Sequence, residues 1–483
     1  MKRLIYLVAA LLLLPLGAYP YGPQQRLDSV LELYHTHNQF SGTVLVARHG
    51  ELLYARGFGH ASLEHGVPNT PATKFRIASI TKQFTSMLVM RQVAAGRMST
   101  DDPIRRYLPD YPSPQGDVVT IHHLLSHTSG FPHYAGIPDF FPLYGRKAFE
   151  HSEFVALFRD LELMYEPGTD YSYSSFGYYL LGYILEEVTG KSFGELLREE
   201  ILDPLGMHDT GLVDHREVLP NKAAGYDLMP WGFVHSEYRD LSTALATGDM
   251  YTTVLDMVQW DRALRENRLL EPSLQERLFT PNLSGYGYGW VMGHHRLPEG
   301  DSLFFQQHTG GTNGFTSIAT RLPQEGYYIL VFCNTRPGEI RSIERDILRV
   351  LYGREVDFRA SASVAAARIM EAEGLETALR FIRGLSDGEG RGTASPGSGV
   401  RYRLELQDIT GLGGALLEEG ALEDGLAFLE LAAELYPESV AALLALGDGY
   451  YACSMPGLAV YTYAQGLLLN PAHRGLLERM KRF

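Results

Sequence analysis

Strand-like sequence occurs at two places far apart in this chain, and that separation constrains the fold more than any other feature. Near the start, Gly42-Thr-Val-Leu-Val-Ala-Arg-His-Gly-Glu-Leu-Leu-Tyr-Ala-Arg56 reads as a hairpin, with His49-Gly50 as the turn between β-rich flanks. The next strand-like runs come only at Gly289–Met292, Ser302–Gln306, Thr316–Thr320 and Tyr327–Phe332. Between them the chain is helical and loop-rich, and a helix is expected over Ile340–Leu351. Early and late strands can satisfy one another in a single antiparallel sheet, with the helical stretch as an insertion between them. The expected fold class is therefore α+β, with a cleft where the sheet meets a helical lobe.

Flanking segments complete the organisation. Lys2 and Arg3 precede the apolar run Leu4–Leu16 and then Gly17-Ala18, the pattern of an export signal over residues 1–18. An uncleaved anchor is the alternative, although the run is short for a membrane span. Gln25–His35 reads as an amphipathic helix. A long helix is expected from Ala78 to Ala95, stopping at Gly96, and another from Ser175 to Val188. A first, α+β unit is expected over 25–355, a helical connector and linker over 360–400, and an all-α unit over 401–483. In the last, Leu412-Gly413, Gly425 and Pro437 recur as Leu446-Gly447, Ala459 and Pro471, a constant offset of 34 residues. That period resembles tetratricopeptide repeats; a plain pair of helical hairpins is the alternative. The formal net charge of −15 disfavours nucleic acid as a partner. Cys333 and Cys453 fall in different units, so no disulfide and no zinc-type spacing is expected.

Three segments carry chemistry. In Phe75-Arg-Ile-Ala-Ser79-Ile-Thr-Lys82, the serine and lysine lie three residues apart and share a helix face. A serine hydroxyl needs a neighbour to take its proton, and a buried lysine can do so if its pKa falls. Alone, this spacing is common by chance. In Pro167-Gly-Thr-Asp-Tyr171-Ser-Tyr173-Ser-Ser175, Tyr173 is presented just before a helix, where a lysine cation could help it act as a base. In Gln307-His308-Thr309-Gly310-Gly311-Thr312-Asn313-Gly314, glycines between two strands allow close backbone approach. A free N–H at Gly311 could complete an oxyanion hole with that of Ser79.

Together and in this order, the three segments resemble the serine β-lactamase and penicillin-binding protein superfamily, on its class C, esterase and D-amino-acid peptidase side. Thr120–Gly130, Pro204–Met207, Gly248–Tyr251 and Gly285–Trp290 add to the resemblance, which spans about 25–352. It implies Ser79 as the acylated nucleophile, Lys82 and Tyr173 as proton-handling partners, and the Ser79 and Gly311 N–H groups as the oxyanion hole. Ser175, His308, Thr309 and Gly310 would line the substrate, and no metal or organic cofactor is implied. Two departures matter. Ser175 replaces the usual asparagine, and His308 replaces the frequent lysine that attracts a substrate carboxylate. A neutral imidazole cannot do that; if His308 must be neutral, activity should fall as pH drops through its pKa.

The expected activity is hydrolysis of an ester or amide through an acyl-enzyme. The rival is a weakly catalytic binding protein that uses its C-terminal repeats to hold a protein partner. His122, His123 and His127 invite a metal reading, but lack the spacing of a zinc helix.

Overall fold

The computed structural model describes residues 22–229, 232–297, 300, 302–336, 338–386 and 400–483. The signal segment and residues 387–399 of the expected linker lie outside them. Helix α1 (Pro23–Thr36) leads into β1 (Gly42–Arg48) and β2 (Glu51–Phe58). His49 and Gly50 take φ of 50° and 80°, the left-handed pair that a two-residue hairpin needs. Then come α2 (Thr81–Ala94), α3 (Ser175–Thr189) and α4 (Val254–Arg265). Strands β3 (Val291–Arg296), β4 (Ser302–Thr312), β5 (Phe315–Leu322) and β6 (Tyr327–Cys333) follow, and α5 (Ile340–Leu351) closes this part.

The strands form one antiparallel sheet in the order β3-β4-β5-β6-β1-β2. The first and last parts of the chain meet at the β1–β6 pair, where Val44 lies opposite Val331. Both faces of this pair are buried, and period-2 alternation sorts its side chains between them. Leu45, Ala47, Tyr328, Leu330 and Phe332 join the core shared with α2, α3 and α4. Val44, Val46, Ile329, Val331 and Cys333 join a second core under α1 and α5. Each large apolar side chain so buried contributes roughly 1.5–3 kcal/mol.

Two strands differ from expectation. The run at Gly289 starts pairing only at Val291, because Gly289 has a φ of 78° and sits against the Lys82 carbonyl. The glycine-rich segment read as a connection between strands instead continues β4 through Thr312.

Beyond α5, helices α6 (Ala362–Glu373) and α7 (Leu375–Ser386) pack as a pair and form the helical connector. Helices α8 (Leu406–Glu418) and α9 (Leu422–Leu435) are followed by α10 (Val440–Ala452) and α11 (Pro456–Leu469). Both starts repeat at 34 residues, 406 to 440 and 422 to 456. A Cβ on Gly413 would meet the Gly425 carbonyl at 2.8 Å, so small residues set the approach of α8 and α9. Arg403 joins this part to the sheet-bearing part through Glu339, with Nη1 donating at 3.0 Å. Cys333 and Cys453 are both free. No helix among the described residues is long and apolar enough to cross a membrane.

Candidate active site

The serine sits on a strained elbow. The expected helix from Ala78 begins instead as a 3-10 turn, Ala78–Ile80, with α2 starting at Thr81. Ala78 has a φ of 47°, a left-handed conformation that a Cβ disfavours. Its surroundings hold it there. The Ile77 N–H donates to the Met250 carbonyl at 3.0 Å. The Ile77 carbonyl accepts from Ser317 Oγ at 2.9 Å. A Cβ on Gly310 would come within 2.1 Å of that same carbonyl, so only glycine lets β4 press against the elbow.

Lys82 lies one turn further on. Its Nζ is 3.2 Å from Ser79 Oγ and donates to the Thr247 carbonyl at 2.8 Å. It lies 5.0 Å from the Tyr173 ring centroid and 5.5 Å from that of Tyr178. Complete burial pulls the Lys82 amine down to about 7; Asp249 opposes the shift and Arg239 adds to it. Asp249, also buried, is pushed up to about 7, chiefly by loss of solvent. Lys82 thus gives up its proton far more readily than an exposed lysine and can then accept one.

Tyr173 behaves differently from a tyrosine that a cation ionises. Burial raises its pKa, and the neighbouring Ser79 hydroxyl only partly opposes this. Its hydroxyl is buried and makes no hydrogen bond in the structure. The phenol is therefore neutral at ordinary pH, and the basic member of the trio is the amine.

The loop carrying Tyr173 is fixed by two histidines. His127 Nδ1 accepts from the Ser174 N–H at 3.1 Å, and His133 Nδ1 accepts from the Ser175 N–H at 3.2 Å. The His127 ring packs against Tyr173 at 4.3 Å between centroids. Burial holds His127 well below its ordinary pKa and His133 down to about 4, with Lys82 adding to both. Ser174 caps α3 by accepting from the Gly177 N–H. Ser175 is the first residue of that helix and is buried.

His308 lies at the other side. Its Nδ1 lies 2.6 Å from the Thr309 carbonyl and must carry the proton; Nε2 accepts from the Tyr286 hydroxyl at 2.9 Å. Burial, and then Lys82, pulls its pKa down to about 3. The imidazole is neutral, and the expected acid limb moves far below neutrality. Strand β3 pairs with β4 only as far as Gln307, so His308–Thr312, including Thr309 and Gly311, present an edge free of β3. Gly311 is exposed on that edge, with open space where a Cβ would stand. An extended substrate can add there as a further strand.

Sequence reasoning missed Thr247, His133 and Arg239, because each reaches the site through space. His127, Asp249 and Tyr286 were visible only as parts of family-like strings. The other histidines of that string are structural: His122 pairs with the Tyr288 hydroxyl at 2.7 Å, and His123 caps a short helix with Thr120. Among the described residues no cluster of His, Cys, Asp and Glu could hold a metal ion.

A family model described as beta-lactamase matches residues 27–354. The chain belongs to the beta-lactamase family. It is 32% identical over 257 residues to PbpX of Bacillus subtilis (strain 168), an alignment covering 52% of this chain and 62% of that protein. The structure of the octameric penicillin-binding protein homologue from Pyrococcus abyssi superposes with a TM-score of 0.62 at 27% identity, covering 72% of this chain and 81% of that one. The D-amino acid amidase from Ochrobactrum anthropi SV3, complexed with D-phenylalanine, superposes with a TM-score of 0.59 at 26% identity, covering 68% and 98%. The beta-lactamase family fold thus accounts for the sheet and the helical lobe, and this family includes serine hydrolases of the penicillin-binding and amidase types.

Proposed function

We propose that this chain is an exported serine hydrolase that opens an ester or amide through an acyl-enzyme on Ser79. The single observation that carries the reading is the 3.2 Å contact between the Ser79 hydroxyl and a buried amine held at about 7. In the forward step Ser79 Oγ bonds to the substrate carbonyl carbon as its proton passes to the neutral Lys82 amine. The carbonyl oxygen takes up the negative charge and is met by the N–H groups of Ser79 and Gly311. Collapse of this intermediate breaks the bond to the leaving group, which receives a proton relayed from Lys82 through the Tyr173 hydroxyl. Water then attacks the ester, its proton returns along the same route, and Ser79 leaves with a hydrogen.

Ser175, Thr309 and Gly310 shape the substrate groove, and His308 supplies no positive charge to it. An amide of a D-amino acid or of a cell-wall peptide fits the relatedness to a D-amino acid amidase and to penicillin-binding proteins; a small ester or a β-lactam is the simpler alternative. Export rests on the charged and apolar N-terminal segment. The paired C-terminal helices are the part of the chain open to a protein partner.

A fluorophosphonate probe should label the wild-type protein and leave Ser79→Ala unlabelled. Equal labelling of both would remove Ser79 from the role and favour the weakly catalytic binding protein.

A further inference from the structure

The cleft holds more positive charge than the acyl-transfer steps use. Arg76, three residues before Ser79, is part-buried, with its Nε out of solvent. Its Nη2 donates to Thr312 Oγ1 at 3.2 Å, and its Nε has no partner. Arg239 comes from the loop between the helical insertion and α4. Its guanidinium lies over the rings of Tyr134, at 5.0 Å, and Phe141, at 4.6 Å, while its buried Nε and Nη2 donate to nothing. Tyr134 in turn packs on His133, and His133 on Tyr173. The Arg239 loop is anchored at the end of β4, where Asn313 Nδ2 donates to the Glu237 carbonyl at 2.9 Å. Neither arginine forms an ion pair among the described residues.

Unsatisfied guanidinium N–H groups are costly to bury, and two such cations near an amine cost more. Burial, and then the Arg239 charge, holds even Arg76 down to about 10. Asp249 is the carboxylate that bears on Arg76, and it is itself driven toward the neutral form. A planar anion would relieve all of this at once, since a carboxylate accepts several N–H donors in the plane of a guanidinium fork.

Direction along the strand says which part of a substrate brings it. His308 stands where a cation would meet a carboxylate on the leaving-group half, and here it is neutral. Thr312, with Arg76 on it, lies past Gly311 at the opposite end of the free edge.

We propose that Arg76 and Arg239 form a subsite for a carboxylate carried on the acyl half of the substrate. The positive charge that the family often places on the leaving-group side is thereby moved across the scissile bond. This inference rests on Ser79 being the acylated residue, and two independent measurements separate the two ideas.

The first compares the 4-nitrophenyl monoester of glutaric acid with 4-nitrophenyl valerate, which is similar in length but uncharged. Wild type should show the higher kcat/KM on the glutarate ester, and Arg239→Gln should lower the glutarate-to-valerate ratio at least tenfold. Arg239→Lys, which keeps the charge and loses the fork, should fall between. A wild-type ratio at or below one, or a ratio moved less than twofold by Arg239→Gln, overturns the subsite. The second measures glutarate binding calorimetrically to Ser79→Ala protein, where no acylation occurs. Binding weakened tenfold or more by adding Arg239→Gln supports the subsite; equal binding overturns it. Turnover of neither ester would count against acylation of Ser79, and the calorimetric result would still decide the subsite.

Discussion

Helices α2 and α11 have the same length and opposite fates. Helix α2, Thr-Lys-Gln-Phe-Thr-Ser-Met-Leu-Val-Met-Arg-Gln-Val-Ala, is rich in polar residues, yet Thr81–Met90 and Gln92 are all buried. Helix α11, Pro-Gly-Leu-Ala-Val-Tyr-Thr-Tyr-Ala-Gln-Gly-Leu-Leu-Leu, carries no charge, yet buries only Ala459, Thr462, Tyr463 and Gly466. Leu468 is 78% exposed and Tyr461 63%. Burial here follows position between layers rather than hydropathy. Helix α2 lies between the sheet and the helical lobe, and each of its buried polar side chains makes at least one hydrogen bond, although Gln83 Nε2 has no partner. Gln83 accepts from Trp260 Nε1 at 3.1 Å, Thr85 donates to the Ala246 carbonyl at 2.7 Å, and Ser86 meets Tyr178 at 3.0 Å. Lys82 is the member whose burial changes its chemistry. An amine completely out of water is costly unless its charge is given up, and giving it up is what acyl transfer needs.

If that difference has functional content, changes in α2 and its supports should be severe and changes on the outer face of α11 mild. Lys82→Ala should lower kcat/KM on an activated ester by roughly 10³-fold, the usual scale for losing a positioned base. A loss under tenfold would make α2 merely structural. Gly310→Ala must displace the elbow, since its Cβ would stand 2.1 Å from the Ile77 carbonyl. It should cost about 1–3 kcal/mol in thermal unfolding and about 10² in turnover, as for other overpacked sites and misplaced groups.

The pH profile tests the amine itself. Activity should rise as pH increases through about 7, as Lys82 loses its proton. No second step should occur between pH 5 and 6, because His308 and His133 titrate below that range. Asp249 favours the Lys82 ammonium, so Asp249→Asn should move the limb to lower pH. A limb that stays in place would show that the carboxylate does not act on the amine. Smallest of all, Leu468→Lys should change stability by less than about 0.5 kcal/mol, the usual range for exposed positions. A larger loss would mean that the face is covered in solution.

The same contrast explains what could be read in advance. The β1–β2 hairpin, α5 and the 34-residue offset of the terminal helices follow from local period and turn chemistry. So does the nearness of Ser79 and Lys82, one helical turn apart. Glycines 310 and 311 were read as lying between two strands, because glycine weakens strands; here they remain in β4, where the elbow comes close. The left-handed Ala78 gives no signal, since alanine favours helix and only its neighbours impose the strain. Arg239 and His133 were hidden for a different reason. Neither belongs to a periodic pattern, and each acquires its meaning from groups distant in sequence.

The proposed function rests on covalent chemistry at the Ser79 hydroxyl. Brief exposure to a slowly hydrolysed ester or a penicillin, followed by acid quench and peptide mass spectrometry, reads it directly. The expected result is the acyl mass on the peptide containing Ser79, absent in Ser79→Ala and strongly reduced in Lys82→Ala. Turnover with no adduct, or an adduct on another residue that survives Ser79→Ala, would contradict it.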